Sequence, residues 1–382
     1  MLKWLLRDNK PKDHNIFGEE WFGTEPPCTM YQKKPLLNPD TKEEIPGLYT
    51  AWVTLNNPAQ YNSYTTEMIK GVIAGMHRAS MDRSVVAIIF TAVGDRAFCP
   101  GGNTKEYAEY YSQRPFEYAQ YVELFAKMVD AILGALKPVI CRSNGMRVAG
   151  GQEIGQACDF TVAADTASFG QAGTRHGSSP TGGSTDFLPW NLSMEQAMWQ
   201  AVSNELWSAY KMERLGLITK AVPIKKNEKG EWVCDPRVIT DKYVDKGQIV
   251  YGELKKGEEA KKASDELKAL KTDFSLLDDY ISRMVWTLTH TFSLNQMNTI
   301  DSVRVKKKFF WDNAKRSQIW GLGFGTNVEF YLGMNAFNTE KMTGKRDIDF
   351  FEYRRLLAEV HPIDDELAEK VIAKPGEQKK GK

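Results

Sequence analysis

The sequence predicts an α/β fold in which parallel strands lie buried beneath packed helices. Three observations carry that reading. Continuous apolar, β-branched runs at 85–90 and 138–141 have the composition of strands covered on both faces. Paired glycines, Gly101-Gly102 and Gly150-Gly151, follow each run. Apolar residues then return at helical spacing, as in Tyr121, Val122, Phe125, Met128, Val129, Ile132 and Leu133. Strand, turn and helix repeated in this way build a parallel sheet with helices outside it.

In chain order, residues 1–47 predict an irregular arm. An apolar patch at 1–8 is too short for a signal peptide, and Pro, Lys, Asp and Glu without periodicity run from there to Pro46-Gly47. A core of 48–223 follows. Its first strand is expected at 48–55, and Met68, Ile69, Val72, Ile73 and Met76 stripe a helix that Thr65 is placed to cap. His77 on this helix reads as an exposed helical histidine. The strand at 85–91, the helix through 133 and the strand at 138–141 come next, then a strand at 160–163 and a helix with a short strand over 208–223. Residues 224–273 change character: dense Lys and Glu predict a solvated, partly helical insertion, with Trp232 and Tyr251 as its anchors. Residues 274–373 are expected to be helical, striped by Leu277, Ile281, Met284, Val285 and Leu288 and later by Val328, Phe330, Tyr331, Met334 and Phe337. A Lys- and Gly-rich tail at 374–382 is expected to be disordered.

The bulk properties exclude several classes. In 382 residues, a hydrophobic share of 42% is enough for a substantial core. A net charge of +1 gives no electrostatic case for nucleic acid or an anionic membrane as partner. The five cysteines, Cys28, Cys99, Cys141, Cys158 and Cys234, are odd in number and form no CxxC pair, so neither a disulfide framework nor a zinc site is indicated. Reduced thiols, with no apolar run of the ~18 residues that a membrane span needs, predict a cytoplasmic protein.

The chemistry is expected at the stretch 145–154, from Gly145 to Ile154. Glycines at a strand-to-helix junction let backbone N–H groups approach a ligand, and the helix start adds unpaired donors and partial positive charge. Together these can hold an oxyanion. Glu153, three residues after Gly150, is placed as a proton carrier beside the same carbonyl. Taken alone, the motif fits a tight turn with a first-turn acid better than it fits a site. The second turn, from Ala97 through Phe98, Cys99, Pro100, Gly101, Gly102, Asn103 and Thr104 to Lys105, strengthens it, because two such turns can aim the amides of Gly102 and Gly150 at one oxygen.

Seven phrases stand here in an order that resembles the crotonase (enoyl-CoA hydratase/isomerase) superfamily. They are Asn57-Pro58 through Asn62-Ser63, Ala97 through Gly102, Lys137-Pro138-Val139-Ile140 through Asn144-Gly145, Gly150-Gly151-Gln152-Glu153, Cys158-Asp159, Phe169-Gly170-Gln171, and Gly216-Leu217-Ile218 through Val222-Pro223. The resemblance spans 50–223. It implies a ββα spiral core with a C-terminal helical trimerisation region, an acyl-CoA substrate, no separate cofactor or metal, and a homotrimer or dimer of trimers. It also implies that Glu153, Gly102 and Gly150 are catalytic. Phe98, Cys99, Gly101, Asn103, Lys105, Gly151 and Gly173 would contact substrate or CoA, and Lys345 and Arg346 match a late basic pair near the nucleotide.

One departure is informative. Where many hydratases of this superfamily carry a second glutamate two residues after Gln171, this chain has Ala172-Gly173. Arg175, His176, Ser178, Ser179 and Asp186 are the nearby candidates to replace it, and His176 and Asp186 are the two assigned to catalysis. The arm, the insertion and the 173–186 stretch resemble the branch that opens a cyclic keto-enoyl-CoA ring with water. A plain hydro-lyase, a ring-forming dihydroxynaphthoyl-CoA synthase and a non-catalytic CoA-binding scaffold are the competing readings. The ring-forming branch has an aspartate at the position aligned with Pro180.

Overall fold

A computed structural model describes residues 17–325 and 328–374. Strands β1 (Cys28–Leu37), β2 (Glu44–Asn56) and β3 (Val85–Ala92) begin the large sheet, with α1 (Thr66–Met81) crossing between β2 and β3. The chain then steps to a second, smaller sheet through β4 (Ala97–Cys99) and returns by way of α2 (Thr104–Glu106), a π-turn (Tyr107–Tyr111) and α3 (Pro115–Leu133). The next circuits repeat the step. β5 (Val139–Ser143) joins the large sheet and β6 (Met146–Val148) the small one, and α4 (Gly150–Ala157) leads back. β7 (Phe160–Ala164) and β8 (Ser168–Gly170) follow, then α5 (Ser184–Asn191), α6 (Met194–Ser203), β9 (Trp207–Ser208), α7 (Ala209–Arg214) and β10 (Lys220–Val222).

Among the described residues the large sheet has the order β1-β2-β3-β5-β7-β10 and the small sheet β4-β6-β8-β9. All pairs are parallel except β1 with β2 and β8 with β9. The alternation of the two sheets is the ββα spiral. Its largest core lies between the sheet and the helices α1 and α3, where Val53, Leu55, Met68, Val72, Phe90, Met128 and Ile132 are fully buried. Thr65 caps α1 through its side chain, as its position before the stripe predicts.

Two expectations are corrected. The arm is not irregular throughout: Cys28–Leu37 is an edge strand that pairs antiparallel with β2, Cys28 opposite Asn56 and Pro35 opposite Tyr49. Pro and Lys, which read as loop signals, are normal on an edge strand whose outer side meets water. The patch at 1–8 and the tail after residue 374 lie outside the described residues.

The insertion is anchored through Asp165, not through Trp232 or Tyr251. The buried Asp165 carboxylate accepts from the backbone amides of Ile224 and Asp235 and from the Tyr210 hydroxyl. The insertion holds short strand pairs and one helix, α8 (Gly257–Ala269), which buries little but Ala263. Beyond it come α9 (Ser275–Thr289), the 33-residue α10 (Ser293–Gly325) and α11 (Glu329–Asn338). The α10 helix lies along α3 and is pinned by Arg304, which reaches Asp159 with two hydrogen bonds of 2.7 and 2.6 Å and the carbonyl of Ala135 at 2.6 Å.

Candidate active site

Strands β4 and β6 run side by side, Ala97 next to Met146 and Cys99 next to Arg147, so the turns that follow them leave the small sheet together. The contact is close: a Cβ built on Gly101 would lie 3.2 Å from the amide nitrogen of Gly150. Gly101 also has φ +108°, a conformation that favours glycine. The peptide of Gly102 is fixed from its other side by Tyr64, whose N–H donates to Gly101 O at 3.1 Å and whose carbonyl accepts from Asn103 N at 2.9 Å.

Gly102, Ala149 and Gly150 line one cavity of about 120 Å³, together with Glu153, Gly173 and His176. Neither the Gly102 nor the Gly150 amide donates to a backbone carbonyl among the described residues. Two unspent donors on neighbouring turns can stabilise an oxygen on which charge develops.

Glu153 sits on the first turn of α4, a helix buried along its whole length. One carboxylate oxygen accepts the Gly182 N–H at 2.7 Å. Burial pushes its pKa up to about 7, against the stabilising N–H groups of Gly182 and Ser184, and the nearby Asp186 adds to the rise. A carboxyl poised there can take a proton from water at neutral pH and return it later. Among the cavity-lining residues Glu153 is the only carboxylate, and Gly173 lines the wall without a side chain.

The other sequence candidates divide. His176 lines the cavity, buried against Phe337, with Nδ1 unpartnered. Burial lowers its pKa to about 4, and the Arg346 and Arg175 charges act in the same direction, so the imidazole is neutral at pH 7. Asp186 does not line the cavity. Gln318 of α10 donates to both its oxygens at 3.3 and 3.2 Å.

Four of the expected substrate contacts do not line the cavity, and the structure shows each with a place in the scaffold. Phe98 is fully buried edge-on to Phe90, because alternation on the short β4 turns it into the core. Cys99 is also buried, its thiol held against Gly101 and its pKa pushed up to about 12 by burial. Asn103 caps α2 by accepting from Glu106 N at 3.0 Å. Gly151 is glycine for packing: a Cβ there would lie 2.0 Å from the Cys99 carbonyl oxygen. Lys105, Lys345 and Arg346 are exposed and line no part of the cavity, with Lys105 3.8 Å from Glu109.

What residue-by-residue reading missed is aromatic. Tyr64, Tyr107, Tyr118 and Tyr121 line the cavity with Phe125 and Phe330. Tyr118 stacks on Tyr121 at 5.8 Å and on Phe330 at 5.0 Å. The Tyr107 and Tyr121 hydroxyls lie 2.8 Å apart. Of the four tyrosines only Tyr121 entered the sequence reading, as part of a helical stripe. The clue was the density of tyrosine between 107 and 121, too polar for a stripe that has only packing to do.

The fold and this arrangement of turns define a class. The family model for enoyl-CoA hydratase/isomerase matches residues 49–287, and the chain belongs to that family. Solved enoyl-CoA hydratases from Mycobacterium avium subsp. paratuberculosis K-10 and Bacillus halodurans share the fold. Their TM-scores are 0.58 and 0.59 at 18% and 16% identity, covering 82% and 80% of this chain and 99% of each of theirs. Two much nearer sequence relatives are both named 6-oxocyclohex-1-ene-1-carbonyl-CoA hydrolase. The protein of Syntrophus aciditrophicus is 56% identical over 98% of this chain and 99% of its own, and that of Thauera aromatica 45% identical over 96% and 97%.

Proposed function

We propose that this chain is a ring-opening C–C hydrolase. It adds water to 6-oxocyclohex-1-ene-1-carbonyl-CoA and hydrolyses the ring to 3-hydroxypimeloyl-CoA, a step of anaerobic aromatic degradation. The observation that carries the reading is a single buried carboxylate, Glu153, on a cavity edged by two unspent glycine amides, in a chain related over nearly its whole length to hydrolases of that name.

The thioester oxygen binds between the N–H groups of Gly102 and Gly150, which draws electron density from the ring alkene and makes its β-carbon electrophilic. Glu153 takes a proton from water, and the oxygen of that water bonds to the β-carbon. The resulting enolate, held by the same two donors, is protonated at the α-carbon by Glu153, which is thereby restored to its carboxylate form. A second water then adds to the ring ketone, again giving its proton to Glu153. The tetrahedral oxyanion collapses to a carboxyl group, and the bond between the ketone carbon and the α-carbon breaks. The leaving electron pair becomes a thioester enolate in the same two-donor site, and a proton returned by Glu153 quenches it. One oxyanion site therefore serves both steps, and CoA enters only as part of the substrate.

His176, a neutral imidazole on the wall, is suited to hydrogen-bond the ring or a water. Asp186 acts on the site through its charge near Glu153. A homotrimer or dimer of trimers fits the exposed apolar side chains of α10, among them Leu294, Val305, Phe309 and Phe324. A cytoplasmic location fits its reduced, unpaired cysteines. No helix among the described residues is long and apolar enough to cross a membrane.

The test is turnover of the cyclic keto-enoyl-CoA in ¹⁸O-labelled water. A linear product carrying one label on the β-hydroxyl and one in the new carboxyl group is expected. A product only one water heavier, with the ring intact, would reduce the enzyme to a hydro-lyase.

A further inference from the structure

The ring ketone needs a partner that Glu153 and the two amides do not supply. Its carbonyl carbon and the thioester carbon are attached to the same α-carbon, so the two oxygens are neighbours in the substrate itself. With the thioester oxygen at Gly102 and Gly150, the donor for the ketone oxygen has to lie directly beside one of these glycines. Two hydroxyls do. A Cβ built on Gly102 would fall 1.7 Å from the Tyr107 hydroxyl, and one built on Gly150 would fall 1.8 Å from the Tyr64 hydroxyl. Both are cavity groups.

We propose that Tyr107 is the catalytic hydrogen-bond donor to the ring-ketone oxygen, with Tyr121 as its positioning partner, and that this pair takes the place of the absent second carboxylate. This rests on the ring-opening reading above. Tyr107 is favoured over Tyr64 because its hydroxyl is the one held by a second hydroxyl, 2.8 Å away on Tyr121. It is also the first residue of the π-turn Tyr107–Tyr111, which interrupts the helical path after α2 and brings the side chain over Gly102. Burial pushes the pKa of both phenols well above the usual range, which favours the protonated, donating form of each. During attack of the second water, Glu153 receives the water proton, the new C–O bond forms at the ketone carbon, and the carbonyl electron pair moves to oxygen. The Tyr107 O–H shortens its hydrogen bond to that oxyanion without giving up the proton. Collapse then re-forms the carbonyl and breaks the C–C bond.

The test is product partition by mass for Tyr107→Phe, Tyr121→Phe and Tyr64→Phe with the cyclic keto-enoyl-CoA. Tyr107→Phe is expected to slow hydration of the alkene, whose enolate is shared by both oxygens, far less than ring opening, and so to accumulate the closed ring one water heavier. Ring opening should fall about 10²-fold, the usual cost of one oxyanion donor. Tyr121→Phe should show the same partition with a smaller loss. Unchanged ring opening by Tyr107→Phe overturns the assignment. So does equal loss of both steps, which marks a packing defect, or accumulation of the closed ring by Tyr64→Phe instead. Failure of the wild-type protein to open the ring at all removes the hydrolase reading itself and is seen before any variant is made.

Discussion

Glu153→Gln should make the protein inactive and, above neutral pH, more stable. In the folded chain the Glu153 carboxyl holds its proton up to about pH 7, against an ordinary glutamate value of 4.5. The unfolded chain releases that proton near 4.5. Folding therefore takes up a proton between these limits, and stability falls as pH rises through the window. Below pH 4.5 there is no penalty from this group; above 7 the full penalty is present. A shift of this size corresponds to about 3 kcal/mol at pH 8 and about 1 kcal/mol at pH 5. Glutamine has nearly the same shape, can still accept the Gly182 N–H with its amide oxygen, and carries no charge to desolvate. The assay is urea unfolding of both proteins at pH 5 and pH 8, alongside turnover. The variant's stability relative to wild type should grow by about 2 kcal/mol between the two pH values, while the ¹⁸O product disappears. A stability difference that does not change with pH would show that Glu153 is not a desolvated carboxyl. Retained turnover would remove it as the base.

The same carboxyl predicts that wild-type kcat/KM rises with pH and levels off above about 7, which a pH–rate profile checks; a profile flat from pH 5 to 8 contradicts it. Gly182→Ala would put a Cβ 2.5 Å from a Glu153 carboxylate oxygen and 2.4 Å from the Phe125 ring, so kcat should drop at least ~10-fold through a misplaced base, measurable in steady-state kinetics. Asp186→Asn keeps an acceptor for Gln318 and leaves the cavity wall intact, so turnover should stay within a few-fold of wild type; a loss of about 10³-fold would return Asp186 to the catalytic set. Arg304→Ala leaves Asp159 buried without its partner and should cost about 3–5 kcal/mol in denaturant unfolding.

The parts legible in the sequence are those governed by local rules. Buried strands at 85–92 and 139–143 grow from the apolar runs at 85–90 and 138–141, and the α1 cap follows from a threonine just before the stripe. Glu153 could be placed near Gly150 because both lie on the first turn of one helix. The arm hid a strand because an edge position tolerates the residues that elsewhere end strands. That Asp186 stands off the cavity wall, held by Gln318, could not be read from its distance along the chain from Gly173.

By itself the sequence determined the alternation of strands and helices, the two glycine turns and the acid that follows one of them, since each depends on residues a few positions apart. Tertiary structure alone decided what those pieces face. The parallel pairing of β4 with β6 brings Gly101 against Gly150, and the burial of Glu153 moves its pKa to about 7. The packing of α3 and the π-turn sets three tyrosines, Tyr107, Tyr118 and Tyr121, around the cavity. Proximity across the chain and the loss of water are collective properties, fixed only when every layer is in place, and they turn an ordinary first-turn glutamate into a carboxyl poised near neutral pH.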